Sequence, residues 1–413
     1  MKVLHIVAGD LNGGAARGAY WLHSGLKELG VESKIFTNSK ITLGDDSVIT
    51  TMTTKKDKLF GIIRRQLDNI FTVYYKKRKR IIFSTGFFGV DFTKTKEYQE
   101  ADIIHLHWIN GLVNIKHLSK INKPIVWTIR DMWPLTGGCH YSMECEKYKT
   151  GCGNCEQLNS NGSYDLSKYI INRKKKYIPK NIKLVGISHW LSDKAKESDL
   201  FRDFDIRTIS NNIDTNEFFV VDKKVAKEIL GIITDKKIIL CGSISLKDFY
   251  KGFSKYVDAL KQLDSNKYFL CFFGNLDKSV PDELGFEYKS FGYLNDNISL
   301  RLAYSCADIF VSPSLMDGFG KTIAEAMACG TPVICFDATG PKDIVTHKVD
   351  GYKAKPFESK DLARGIECVL NNDNYDELCV KAREKVMREF DVEIVSRKYI
   401  KLYNDILAKK IGL

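Results

Sequence analysis

The stretch 307–337, ADIFVSPSLMDGFGKTIAEAMACGTPVICFD, decides the fold class. An apolar run (Ile309, Phe310, Val311) leads into a loop carrying Gly318 and Gly320. Good helix formers follow from Lys321, stop at Gly330 and give way to a second apolar run, TPVICF (331–336). Strand, loop, helix, glycine stop and strand make a βαβ unit, which sets its strands parallel and its helix on one face of the sheet. Ligands bind such sheets beyond the carboxyl ends of the strands. The loop Gly318-Phe319-Gly320 is therefore the expected ligand contact, because glycine lets backbone approach closely. The helix start at Lys321 and Thr322 offers N–H groups and a positive dipole end to a phosphate.

The same rhythm runs outward from this stretch. At the start of the chain KVLHIV (2–7) is followed by Gly13-Gly14 and a helical pattern of Ala15, Ala19, Leu22, Leu26 and Leu29. Gly30 fits a helix stop, and ESKIFT (32–37) reads as the next strand. ADIIHLHW (101–108), PIVWTI (124–129) and IKLVGIS (182–188) continue the first set, and KKIILCGS (236–243) and YFLCFFGN (268–275) open a second. Two sets of strands in 413 residues point to two doubly wound domains rather than one large sheet. The polar SNNID (210–214) marks the hinge region. Val392, Val395, Tyr399, Leu402 and Ile406 recur at helical spacing and predict a terminal amphipathic helix.

Composition narrows the class. The first ten residues lack the long apolar stretch of a secretory signal, and no run approaches a membrane span, so a non-exported, soluble protein is expected. The net charge of +12 is uneven: residues 55–80 hold ten Lys/Arg against two Asp. Within that window Leu59, Ile63, Leu67, Ile70 and Tyr74 line one helical face. Such a face beside cations can lie in a membrane interface; it can equally pack on the domain core, with the charges solvated. Of the eleven cysteines, seven are scattered in apolar context and read as reduced, buried thiols. Cys139, Cys145, Cys152 and Cys155 crowd together, and four thiols in a reducing compartment suggest structural tetrahedral zinc. An iron–sulfur cluster, a redox pair or plain buried thiols remain open alternatives.

Asp317 and Glu325 flank the glycine turn, eight positions apart. Carboxylates at a phosphate site are costly unless they meet hydroxyls or a developing cation, and a nucleotide-sugar supplies both. A helix N-terminal Asp and a surface Glu is the plainer reading of the pair. The segment resembles the donor-binding signature of glycosyltransferase family 4, retaining enzymes of the GT-B fold, which carries Glu, seven residues and Glu around Gly-Phe-Gly. Asp317 stands at the first Glu position, one methylene shorter, near the donor sugar by resemblance; Glu325 by resemblance holds the ribose. CGSISLKDFYKGF (241–253) is similar to the family's diphosphate-gripping strand and loop, with Lys251 matching the phosphate-binding lysine. Ser243 stands where the family commonly has Arg, and Lys247 is the nearest substitute. Gly13 and Gly14 match the family's glycine loop; SNNID with Phe218, and Thr339-Gly340-Pro341 with Asp343, match further loops.

WTIRDMWPLTGGCHY (127–141) resembles a cleft segment of the subgroup that builds colanic-acid-type exopolysaccharides, where the pattern is His-Asp-Met-Trp-Pro. Arg130 replaces that His, and Asp131 is retained; both are carried over as catalytic candidates together with Asp317. His105, His107 and His140 are nearby candidates whose ordinary role on a strand is structural. The resemblance implies two Rossmann-like domains facing across a cleft: 1–205 for the acceptor, 206–390 for the donor, and 391–413 as a helix packing back on the first. It implies a hexosyltransferase of bacterial surface polysaccharide biosynthesis, cytoplasmic or peripheral at the inner membrane face. The partners implied are a nucleotide-diphosphate sugar and a saccharide or polyprenyl-diphosphate-linked acceptor. No cofactor for catalysis is expected, since Lys251 and the helix N-terminus can take the leaving charge. A nicotinamide or flavin oxidoreductase would need G-x-G-x-x-G, which GDLNGGAARG does not fit. A zinc-bearing nucleic-acid binder leaves the 317–325 segment unexplained, so no nucleic acid is expected. A catalytically silent member of the fold stays open.

Overall fold

The computed structural model describes residues 1–413 apart from 10, 12, 40–43, 52–53, 80, 276–278 and 412–413, and apart from the side chains of 58, 65, 69, 244–245, 279–281 and 410–411. Asp10 and Asn12 of the first glycine loop, Arg80, and the side chains of Lys58 and Arg65 in the basic window thus lie outside the described residues.

The described chain divides into two compact units, 1–210 with 395–413, and 211–394. The first holds β1 (Lys2–Val7), β2 (Glu32–Thr37), β3 (Val48–Thr50), β4 (Ile103–Leu106), β5 (Ile125–Ile129), β6 (Lys183–Gly186) and β7 (Asp205–Thr208). They form a parallel sheet in the order β3-β2-β1-β4-β5-β6-β7. The second holds β8 (Lys237–Ser245), β9 (Tyr268–Asn275), β10 (Tyr288–Ser290), β11 (Ile309–Ser312), β12 (Val333–Phe336) and β13 (Gly351–Ala354). Its order is β10-β9-β8-β11-β12-β13, again parallel. Both units are Rossmann-like, the α/β class expected from the strand-helix rhythm. The central strands β4, β5, β11 and β12 are buried along their whole length, which is why they read as continuous apolar runs rather than alternating ones.

β7 pairs with β6 (Lys183↔Asp205), which keeps residues through Ser210 in the first unit, beyond the division expected at 205. The terminal helix Val392–Ile411 begins in the second unit, where Val392 N–H donates to Ile213 O at 3.0 Å. From Val395 it belongs to the first unit. There Val395, Tyr399, Leu402 and Tyr403 pack with Val3, Leu22, Leu26, Ile103 and Val126. Each such side chain contributes about 1.5–3 kcal/mol of burial free energy. In the second unit the core gathers Ile239, Leu270, Phe272 and Val311 with Tyr256, Leu260, Leu362 and Ile366 from flanking helices. No described helix is long and apolar enough to cross a membrane.

Each sheet has one point at which strand order reverses: β1/β4 in the first unit and β8/β11 in the second. Loops leaving the carboxyl ends there diverge and open a crevice, the place where open α/β sheets take ligands.

Candidate functional site

At the β8/β11 switch point the two outgoing loops are tied together. Leu315 and Met316 N–H groups donate to Tyr250 O at 2.8 and 3.2 Å. Gly252 sits at φ 67°, and a Cβ there would lie 2.0 Å from Pro313 O, so only glycine allows this approach. The junction brings Lys251 and Asp317 into an ion pair, Nζ to Oδ2 2.8 Å, with about a fifth of each side chain exposed. The other oxygen of Asp317 accepts from Phe319 and Gly320 N–H at 3.2 and 3.1 Å. Burial alone would raise the Asp317 pKa; the Lys251 charge and these N–H donors outweigh it and hold the carboxyl below its usual range. Asp317 is therefore ionised at neutral pH.

Gly320 (φ 99°) caps the helix Lys321–Ala328 with no side-chain acceptor of its own, and its N–H is met by Asp317. Lys321 and Thr322 are half-buried in its first turn. Glu325 is 2% exposed and accepts from Tyr304 O–H at 2.9 Å. Its other oxygen has Lys321 Nζ 3.3 Å away but no well-formed hydrogen bond. Ser243 Oγ and Thr339 Oγ1 are likewise buried without a partner among the described residues. Buried orphan polar atoms are costly, and each of these can pair with a polar group of a ligand. The 339–341 loop lies against the glycine turn: Gly340 N–H donates to Asp317 O at 3.0 Å, and a Cβ on Gly340 would meet Gly318 at 2.5 Å. Phe319 fits the expectation that the loop presents backbone. Its ring is 3% exposed and packs edge-on against Phe390 at 5.5 Å, so the residue offers the site its backbone and not its side chain. Lys247 is exposed.

At the β1/β4 switch point Gly13 and Gly14 start the helix Gly14–Glu28, and a Cβ on either meets nothing within 4 Å. Open space over a helix N-terminus, rather than packing, accounts for this pair. Arg130 and Asp131 follow β5 directly, and both are buried. Arg130 is buried, with Nη2 3.3 Å from His107 Nδ1, and burial lowers its pKa to about 10. Asp131 commits both oxygens inside the unit: to His140 Nδ1 at 2.6 Å, Trp108 Nε1 at 2.9 Å and Trp133 N–H at 2.9 Å. Its role is to orient His140 and Trp108.

His5, His105 and His107 stack in the core, their ligand atoms all within 4.8 Å of one another. Hydrogen bonds within the unit already engage most of these ring nitrogens. His105 is bonded on both ring nitrogens, to Tyr403 Oη at 2.6 Å and Thr128 Oγ1 at 2.7 Å. His5 Nδ1 meets His107 Nε2 at 2.9 Å, and the Arg130 guanidinium beside them repels a cation. Burial first, then neighbouring charge, holds all three well below the usual histidine pKa. His105 thereby anchors the terminal helix to β4 and β5, the structural role of a strand histidine.

The four clustered cysteines line one small cavity with Thr136, Gly137 and Ser167. All are free thiols, and no three of their sulfurs lie within 4.8 Å of one another. Burial raises the pKa of Cys139, Cys152 and Cys155, Cys152 to about 11. The basic helix spans Lys55–Ile70, and its apolar face is not in the core. Leu59, Ile63, Ile70 and Tyr74 are 58, 43, 51 and 86% exposed, joined by Phe60 at 65% and Ile62 at 57%. The buried Asp68 ties the helix down, accepting from Thr85 and Phe87 N–H at 2.9 and 3.1 Å.

Trp108, Tyr304 and Lys174 join these constellations without a sequence signal of function. Lys174 carried a positional hint: it follows Ile170 and Ile171 at helical spacing, on the buried face of Leu166–Tyr177.

Residues 222–386 match the family described as Glycosyl transferases group 1. An uncharacterised glycosyltransferase of Methanocaldococcus jannaschii is 24% identical over 77% of this chain and 77% of its own length. The N,N'-diacetylbacillosaminyl-diphospho-undecaprenol alpha-1,3-N-acetylgalactosaminyltransferase of Campylobacter jejuni is 26% identical over 48% of this chain and 54% of its own. A capsular polysaccharide biosynthesis glycosyltransferase of Staphylococcus aureus, CapM, is 25% identical over 55% and 63%. The match thus spans little more than half the length of the last two. Among solved structures, sucrose-phosphate synthase of Thermosynechococcus elongatus superposes with a TM-score of 0.70 at 19% identity, covering 99% of this chain and 100% of that one. Anabaena HepE in complex with UDP-glucose gives 0.67 at 17%, covering 100% of both. The chain takes the two-domain GT-B fold of these structures, and its residues 222–386 are similar to the group 1 glycosyl transferases.

Proposed function

We propose that the chain is a retaining glycosyltransferase that moves a hexosyl group from a nucleotide-diphosphate sugar to a saccharide or lipid-linked glycan in bacterial surface polysaccharide biosynthesis. The observation that carries this reading is the Lys251–Asp317 pair, 2.8 Å, at the switch point of the second unit. The donor diphosphate lies against Lys251 and the N-terminus of Lys321–Ala328, where fixed positive charge meets the charge that develops as the sugar–phosphate bond breaks. The ionised Asp317 faces the cationic sugar carbon. The acceptor hydroxyl forms the new bond on the face the diphosphate leaves, and its proton passes to the departing phosphate oxygen. Glu325 and the orphan hydroxyls of Ser243 and Thr339 meet ribose and sugar hydroxyls. Acceptor recognition falls to the first unit, where Asp131 holds His140 and Trp108.

The exposed apolar face of 55–70, set among lysines and arginines, supports contact with an anionic membrane surface. A polyprenyl-diphosphate acceptor would lie there, and the Campylobacter relative is named for such an acceptor. The test is to incubate the full chain with UDP-, GDP- and ADP-sugars, with and without polyprenyl-diphosphate glycans, and follow nucleotide release and product linkage. Turnover of one donor with retained anomeric configuration is expected; release from none of the donors, or inversion, refutes the reading.

A further inference from the structure

We propose that Cys139, Cys145, Cys152 and Cys155 bind one zinc ion that fixes the loop 136–158 of the first unit. All four thiols line a single cavity of about 20 Å³. That space is enough for one ion or one water. Four cysteines with no carboxylate among the lining residues suit zinc, which takes tetrahedral thiolate at about 2.3 Å.

The backbone is shaped for the thiols. Cys152, Gly153 and Asn154 take successive positive φ values of 55, 100 and 47°, a conformation rare for residues with side chains that must be held by something else. Gly153 is obligatory here, since a Cβ would lie 2.5 Å from Ser163 O. Backbone N–H groups converge on the sulfurs: Gly137 on Cys152 Sγ at 3.2 Å, and Gln157 and Leu158 on Cys155. Donors aimed at sulfur stabilise a thiolate ligand and fix its direction.

The surroundings supply charge balance. Lys174 is fully buried, its Nζ bonded to the carbonyls of Trp133 and Thr136, within electrostatic reach of Cys139 and Cys152. The loop also has little apolar core of its own; Phe83, Cys155, Leu158 and Ile170 form a small cluster. Cys139 pairs by bridge with Phe83 and precedes His140, so the ion would hold in register the residue that Asp131 orients. Closing the sulfurs to bonding distance requires rotation of cysteine side chains about the shared cavity.

The experiment is metal analysis of the full chain purified without chelator, followed by removal with a chelator and reconstitution with cobalt. About one zinc per chain is expected. On cobalt loading, sulfur-to-metal charge-transfer absorption and intense visible d–d bands of tetrahedral thiolate should appear. Cys152→Ser and Cys155→Ser should lose the metal, while Cys368→Ser, on an exposed helix position of the second unit, should keep it. Should the serine variants not fold, the wild-type chain decides, since chelation should lower its melting temperature and zinc should restore it. A chain that holds no zinc and takes up neither zinc nor cobalt overturns the proposal. So does iron with acid-labile sulfide, or full zinc retention in both serine variants.

Discussion

Replacing Lys251 with Met separates a catalytic lysine from a structural one. Its ammonium is 2.8 Å from Asp317, with 23% of the lysine and 21% of the aspartate side chain exposed. Breaking an exposed pair costs up to about 1 kcal/mol and a buried one about 3–5, so this half-buried pair should cost about 1–2 kcal/mol of stability. For a unit of this size that is a fall in melting temperature of roughly 2–8 °C. The loss in catalysis should be larger in kind. Removing one fixed donor from a leaving-group site costs about 3 kcal/mol of transition-state stabilisation, or roughly two orders of magnitude in kcat. Donor affinity should fall by a further factor of about ten, the share of one charge-assisted contact. The assay is initial rates over donor concentration beside a thermal melt, with Asp317→Asn as the companion. That variant also breaks the ion pair but keeps the ammonium, so it should melt much like Lys251→Met and retain donor affinity. If Lys251→Met melts lower as expected yet keeps kcat within about threefold, the lysine is a tether between loops and the placement of the diphosphate is wrong.

Three further outcomes follow from the structure. Gly252→Ala should lower the melting temperature of the second unit sharply and reduce soluble yield, because the position has φ 67° and a Cβ would meet Pro313 O at 2.0 Å. Acid should destabilise the first unit. His23 is bonded to Ser33 and Ser47 at 2.7 and 2.9 Å, and burial lowers its pKa to about 4. The unfolded chain takes up that proton near the ordinary value, so stability is full above the unfolded pKa and falls as pH drops toward 4. Between pH 7 and 5 His23 alone should cost about 2 kcal/mol, and His5, His105 and His107 act in the same direction. Denaturant midpoints at the two pH values check this, and equal midpoints would contradict it. Phe60→Asp with Ile63→Asp should abolish sedimentation with anionic phospholipid vesicles while leaving the melt unchanged, since both side chains are exposed.

The fold was legible because its information is local. Parallel strands buried on both faces must be continuous apolar runs, and β4, β5, β11 and β12 are such runs. The terminal helix was equally readable, because Val395, Tyr399 and Leu402 repeat at the helical period they need to cover one surface. The donor-side loop showed its glycines and acids in sequence, but not that Asp317 would meet a lysine 66 positions away. Phe319 and Asp131 show the opposite limit. Their motif positions were plain, yet the ring turns into the core and the carboxylate orients His140, outcomes set by packing that the motif itself does not encode. The helix at 55–70 had a period that fits core and interface alike; only exposure separates the two, and it leaves the apolar face open. Trp108 and Tyr304 carry no pattern because their roles come from where long-range contacts put them.

The central claim is that a nucleotide-sugar binds at the β8/β11 switch point of the second unit. An experimental structure of the full chain with a non-hydrolysable donor analogue tests it most directly. The account predicts the diphosphate against Lys251 and the start of Lys321–Ala328, with the ribose toward Glu325 and the sugar beside Asp317. A nucleotide seated instead over Gly13-Gly14 in the first unit, or a diphosphate with no contact to Lys251, would contradict it.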